Sequence, residues 1–294
     1  MNASKTAFLF PGQGRLPKNL PAEAERMEQL LEHALEHGLP IRSLIAEQDP
    51  DRPPQTEIAQ PILLIDSLFR EQALREAGWM PQIAAGHSLG EYAALVCTGS
   101  LRAEDALRVV IERGRLMGGV TGGMTAILKL EIDIVRTLCA AVGDGVCIAN
   151  HNAPTQVVVS GDLEALENLA SRATDAGGRA IPLRVSGPFH SPRMLAAQQA
   201  LEPVLRALSL TTPGFPIVSG VSGTLETDPE HILGLLCGQI TAAVRWVDVV
   251  KRLEVEGTTQ AIEVGSGDVL SRLGRQTSST IRFMTYEEAI DEGS

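Results

Sequence analysis

The sequence predicts an α/β protein carrying a small α+β insertion, and three observations lead to that expectation. Short apolar strand candidates alternate with amphipathic helices towards both ends of the chain. A self-contained βαββαβ run, the ferredoxin-like order, fills the middle. Between the first pattern and the second, Gly118, Gly119, Gly122 and Gly123 crowd one junction. The simplest arrangement is a discontinuous large domain over 1–120 and 187–294, interrupted by a four-stranded subdomain over 121–186.

Each element follows from its residues. Thr6–Phe10 is an apolar strand stopped by Pro11-Gly12-Gln13-Gly14, a turn-rich tetrad that leaves backbone donors exposed. Residues 22–37 and 57–77 read as helices, the second with Pro61 near its start, where a missing amide costs little. Ile83–Ala85 is a short strand, Gly86-His87-Ser88-Leu89-Gly90 a tight turn, and Glu91–Cys97 the opening of a helix. A further helix covers 103–117, and the glycine cluster follows as a hinge. The insert then runs as strand Thr125–Lys129, helix 131–142, strands Val146–Asn150 and Gln156–Ser160, helix 162–176 and strand Arg179–Val185. Beyond Pro188 the strand candidates are Pro216–Ser219, Gln260–Val264 and Ile281–Thr285.

Composition narrows the function classes. The 294 residues carry 25 basic and 36 acidic side chains, net −11, which disfavours nucleic acid and anionic membranes as partners. Aromatics are 3%, too few for a base-stacking surface. No apolar run reaches the roughly 18 residues of a membrane span, and the N-terminus does not read as a signal peptide, so the expectation is a cytoplasmic protein. Cys97, Cys139, Cys147 and Cys237 lie far apart in apolar stretches without metal-ligand spacing, and read as buried reduced thiols; no metal is expected.

Three residues carry the candidate chemistry. Ser88 sits in GxSxG between strand and helix, the sequence form of a nucleophile elbow; the bland alternative is a glycine-bordered helix cap. A serine hydroxyl needs a base. His33 and His37 lie four apart on a polar helix, and His87 adjoins Ser88 and is expected to point elsewhere, leaving His151, His190 and His231. His190, in the proline-stiffened stretch Val185-Ser186-Gly187-Pro188-Phe189-His190-Ser191-Pro192, is placed to hang over a domain junction; otherwise it is a satisfied core histidine. Arg113 falls on the apolar face of its helix with Ala106, Val109, Val110 and Met117. A buried guanidinium keeps its charge and requires an anion, either a protein carboxylate or a ligand's.

These strings resemble the malonyl-CoA:acyl-carrier-protein transacylases and the related acyltransferase domains of polyketide synthases. The resemblance runs in order through FPGQG at 10–14, GHSLGEYAAL at 86–95, RGRLM at 113–117, GMTAI at 123–127, IANHNAPTQVVVSG at 148–161, VSGPFHSPRM at 185–194, QITAAVRW at 239–246 and EVGSGDVL at 263–270. It implies a large α/β hydrolase-like domain with a parallel sheet plus a ferredoxin-like subdomain. It also implies Ser88 as acyl acceptor, His190 as general base, the Gln13 and Leu89 amides as oxyanion hole, and Arg113 as the grip on the malonyl carboxylate. By the same resemblance the Gln239 carbonyl steadies the histidine, and Asn150 and Asn152 line the cleft from the insert. Malonyl-CoA is the implied substrate, a phosphopantetheinylated acyl carrier protein the implied partner, and no permanently bound cofactor is implied.

The chain departs from the family pattern at Arg15–Pro21, Gly118, Ala243, Ser266 and Asp268, all in loops and none at Ser88, His190 or Arg113. The edited loops point towards a dedicated pathway enzyme, although fatty-acid, polyketide and malonate-decarboxylase settings share these motifs. Lys251, Arg252, Arg272 and Arg275 are candidates for docking an acidic carrier. The competing enzyme class is an acyl hydrolase or thioesterase. A Ser, Asp, late-His order serves it poorly, because no histidine follows His231 and only Asp228 and Glu230 lie near that one in sequence. A non-catalytic carrier-binding module is the third reading.

Overall fold

The computed structural model describes residues 5–14, 16–17, 25–47 and 55–293. In chain order the body begins with β1 (Thr6–Phe10), α1 (Glu25–Glu36), α2 (Ile41–Ala46), α3 (Thr56–Glu76), β2 (Ile83–Gly86), α4 (Gly90–Cys97) and α5 (Ala103–Gly118). The insert comprises β3 (Gly123–Leu128), α6 (Ile132–Val142), β4 (Val146–Ala153), β5 (Gln156–Gly161), α7 (Leu163–Asp175) and β6 (Arg179–Pro182). The body resumes with α8 (Leu195–Arg206), β7 (Ile217–Val218), β8 (Leu225–Glu226), α9 (Pro229–Gly238), α10 (Trp246–Val255), β9 (Gln260–Glu263), α11 (Val269–Thr277), β10 (Arg282–Met284) and α12 (Tyr286–Gly293).

The body sheet has the order β10-β9-β1-β2-β7-β8. All its pairings are parallel except β7 with β8. β1 is buried along its whole length, as a central parallel strand covered on both faces must be, and its apolar run is continuous rather than alternating. β2 is Ile-Ala-Ala-Gly, and these small side chains let α4 pack directly against the strand that precedes it. Parallel strands put their C-terminal ends on one side, so the loops after β1, β2 and β9 converge there.

The insert sheet is antiparallel in the order β4-β5-β3-β6. Its two faces separate by the period of a strand. Val157 and Val159 join Val135 and Leu169 beneath the insert's own helices, whereas Val158, Met124, Ala126 and Ala149 pack into the body's core. The insert therefore cannot bury its second face without the body.

Several expectations change at the edges. β6 stops at Pro182 rather than Val185, and β4 runs on to Ala153 through irregular register at Ile148/Asn150 and His151/Ala153. α2 and β8 carry weak sequence signals and were not expected. Of the helix read over 22–37, residues 22–24 lie outside the described residues, as do Arg15 and 18–21 among the edited loop positions. Pro61 is inside α3, past the first turn, where it removes a helical hydrogen bond. Burial of α3 against α4 and α5 holds the helix through that break.

Candidate active site

Ser88 stands between β2 and α4 with φ = 53°, a left-handed conformation that a serine holds only under constraint. The flanking glycines impose it. A Cβ on Gly86 would lie 2.1 Å from the Glu91 amide nitrogen, and one on Gly90 would lie 2.0 Å from the Phe10 carbonyl oxygen. Strand and helix thus approach as only glycine allows, and the end of β1 presses on the same turn. Among the described residues, the backbone amides of Gln13 and Leu89 donate to no protein acceptor. Gln13 lines the same cavity as Ser88 from the loop after β1, and Leu89 follows Ser88 at the start of α4.

His190 comes from the loop after the insert, itself at φ = 57°. Its Nδ1 lies 3.1 Å from the Gln239 carbonyl and 2.9 Å from that of Ala242. Two acceptors at Nδ1 require a hydrogen there, so Nε2 is left as the basic nitrogen. The Ser88 hydroxyl donates to it at 2.7 Å. Burial, with the positive charge of Arg113 and the neighbouring His87 adding to it, pushes the imidazole down to about 3. It is therefore neutral and able to accept a proton across the physiological range.

Arg113 is 1% exposed on α5. Its Nη1 donates to Gln60 Oε1 at 2.5 Å, and Nη2 donates to Ser88 Oγ at 3.0 Å and Gln239 Oε1 at 3.1 Å. All these partners are neutral. Among the described residues no carboxylate forms an ion pair with Arg113, and its Nε is buried without a hydrogen-bond partner. Gln60 hands the network on to Thr56 at 2.8 Å, and the Thr56 hydroxyl donates to the Gln13 side chain at 2.6 Å. Hydrogen bonds therefore connect the guanidinium to the loop bearing the Gln13 amide.

Ser88 and His190 open onto a cavity of about 280 Å³ bounded by both sheets. Gln13, Asn150 and Asn152 line it together with apolar walls that include Met124, Val158 and Phe189. Arg113 and Gln239 are both buried behind Ser88, outside that lining, and Arg113 meets the cavity only through its hydrogen bond to the Ser88 hydroxyl. His87 does not turn away: it lines the cavity, donates from Nε2 to Asn152 Oδ1 at 2.9 Å and tilts against Trp246. Sequence reasoning missed His87, Gln60 and Glu91. The last of these directly follows the GxSxG turn and is buried with its carboxylate raised by desolvation.

The remaining candidates lie elsewhere. His231 Nδ1 pairs with Glu226 at 2.7 Å, not with Asp228 or Glu230, and is exposed on α9. His151 sits on β4 with its amide bonded to the Val244 carbonyl. The four thiols are free, three buried and Cys147 half-buried, its Sγ 3.8 Å from the His190 carbonyl. Of the docking candidates, Arg252, Arg272 and Arg275 pair with Glu256, Asp268 and Glu288 at 3.2–3.5 Å. No group of three or more His, Cys, Asp or Glu among the described residues is arranged to hold a metal ion. No helix among them is long and apolar enough to cross a membrane.

Comparison with known proteins identifies the relatives of this chain. The acyl transferase domain family matches residues 7–286. The malonyl CoA-acyl carrier protein transacylase of Bacillus subtilis is 38% identical over 301 residues, covering 97% of this chain and 94% of that protein. The protein of the same name from Salmonella typhimurium is 34% identical, covering 96% of each. The crystal structure of an acyl-carrier-protein S-malonyltransferase from Burkholderia pseudomallei superposes with a TM-score of 0.88 at 34% identity over 98% of both chains. PlMCAT, solved with AntF as a type II PKS acyl-carrier protein in complex with its malonyl-transacylase, gives 0.89 at 32% identity over 98% of this chain and 100% of that one.

Proposed function

The chain belongs to the acyl transferase domain family, and from that membership and the site geometry we propose that it carries malonyl groups from malonyl-CoA to the phosphopantetheine thiol of an acyl carrier protein. The observation that carries this reading is Arg113, a buried cation whose hydrogen-bond partners are all neutral and which touches the Ser88 hydroxyl. A guanidinium so placed suits an acyl group with a second carboxylate, and it argues for a dicarboxylic acyl donor over a simple fatty acyl ester.

The chemistry then follows from the positions. Malonyl-CoA enters with its free carboxylate on Arg113, which sets the thioester carbonyl over Ser88. His190 Nε2 takes the hydroxyl proton as Oγ bonds to the carbonyl carbon. The Gln13 and Leu89 amides hold the oxyanion, each contributing about 3–4 kcal/mol to the transition state. Collapse breaks the carbon–sulfur bond, and the departing coenzyme A sulfur takes the proton from His190, leaving a malonyl ester on Ser88. The carrier's thiol gives its proton to His190, attacks the ester, and Ser88 recovers the proton as it leaves. No step calls for a resident cofactor.

Transfer rather than hydrolysis is favoured by the family relatives named as transacylases at 34–38% identity. The expected result of incubating the protein with malonyl-CoA is a single malonyl adduct on Ser88 by intact mass spectrometry, discharged on adding a holo carrier protein. Folded protein that releases free malonate at the same rate with and without carrier would replace transferase by hydrolase.

A further inference from the structure

Glu91 opens α4 and is 3% exposed, facing away from the cavity. Its Oε1 accepts from the Ser219 hydroxyl at 3.0 Å and the Gly220 amide at 2.8 Å, and its Oε2 accepts from the Gln239 side-chain amide. Both oxygens are engaged by protein donors, so the carboxylate has no proton to exchange with a substrate. What it governs is the Gln239 amide. A primary amide has a donor end and an acceptor end of nearly the same shape, and its neighbours decide which way round it sits. Glu91 Oε2 and the Ser88 carbonyl, 3.0 Å from Gln239 Nε2, both accept, so the NH2 group faces them. Oε1 is thereby turned to Arg113 Nη2.

We propose that Glu91 is a positioning residue for acyl-group selection: by fixing the Gln239 amide it keeps an acceptor against Arg113 and sets the guanidinium that tells a dicarboxylic acyl group from a monocarboxylic one. This rests on the reading of Arg113 as the partner of the malonyl carboxylate. The geometry has a sharp consequence for the isosteric change Glu91→Gln. Ser219 and Gly220 both donate, so the new carbonyl stays with them and the new NH2 takes the place of Oε2. Two NH2 groups then meet unless Gln239 turns over. Once turned, Gln239 presents donors to Arg113 and its oxygen to the Ser88 carbonyl, so the guanidinium loses an acceptor; unturned, the two NH2 groups push apart and draw Gln239 off its place beside Arg113. The charge effect has the opposite sign, because removing a buried anion near Arg113 strengthens its hold on a ligand carboxylate.

The test is kcat/KM for malonyl-CoA and for acetyl-CoA in the wild type, Glu91→Gln, Arg113→Ala and the double variant, with thermal unfolding as a control. Glu91→Gln should lower the malonyl value about tenfold or more and leave the acetyl value within about threefold. In the Arg113→Ala background the same change should leave the malonyl-to-acetyl ratio where Arg113→Ala put it. If Glu91→Gln does not fold, Glu91→Asp, which keeps the charge but withdraws it from Gln239, should shift the ratio in the same direction. An equal fall for both donors, an unchanged ratio or a raised one overturns the proposal while the function stands, provided Arg113→Ala flattens the ratio. If Arg113→Ala leaves the ratio untouched, the assignment of Arg113 fails and this inference with it.

Discussion

The parallel sheet and the antiparallel sheet meet at one cavity but bring different things to it. Ser88, Arg113, His190 and Gln239 all stand on the body, at the ends of its strands or on the helices and loops packed there. The insert contributes Met124, Ala126 and Val158 as walls, with Asn150 and Asn152 as polar edges. Groups that must hold a proton or a charge in one place are built on a sheet covered on both faces. The insert, whose second face is finished only by the body, shapes the space in front of them. Yet it is tied to the reacting residues at two points. Asn152 holds His87, next to the nucleophile, and β4 pairs through Ala149 and His151 with Val244, two residues beyond the carbonyl that steadies His190.

Substitutions can break or sharpen this contrast. His190→Ala removes the base from the body, and acyl-enzyme formation should fall about 10³-fold in rapid-quench measurements while the melting temperature changes little. A main effect on unfolding would make the histidine a core residue. Asn152→Ala removes only the insert's tie to His87. It should slow transfer about three- to tenfold and lower stability by about 1–2 kcal/mol in urea titration, because a buried imidazole donor loses its acceptor. A loss equal to that of His190→Ala would place chemistry in the insert and end the distinction. The smallest expected change is with pH. His190, near 3 when folded, stays neutral well below the ordinary histidine value of 6.5, so the acylation rate should remain level from about pH 8 to 5. The unfolded chain takes up that proton near 6.5, so this group's share of the stability falls as pH drops from about 6.5 towards 3. Stopped-flow acylation and urea midpoints over that range check both signs.

The strong local signals in the sequence were those of single elements. Glycines around Ser88, the proline-bound loop at His190 and the βαββαβ run each state their geometry within a few neighbouring residues, and Arg113 in an apolar stripe announces a buried charge. What could not be read locally was the hydrogen-bonded setting of that charge. Gln60 and Gln239 reach Arg113 from 53 and 126 residues away, and nothing in a polar residue on a helix tells whether it faces water or a guanidinium. Glu91 is equally silent, since an acid in the first turn of a helix is ordinary. The basic docking candidates differ again, since three of the four are held in surface ion pairs. Asp268 and Glu256 stand four residues from Arg272 and Arg252, a spacing at which the pairings could have been anticipated.

Ser88 and His190 share a left-handed backbone, and each would sit more comfortably as glycine. Lineages that stop needing the reaction lose the reason to hold side chains on this backbone, although glycine at 190 would also vacate a buried site and leave the Gln239 and Ala242 carbonyls without their donor. A relative with glycine in both places would therefore be a sign of retired chemistry, not of a more stable fold.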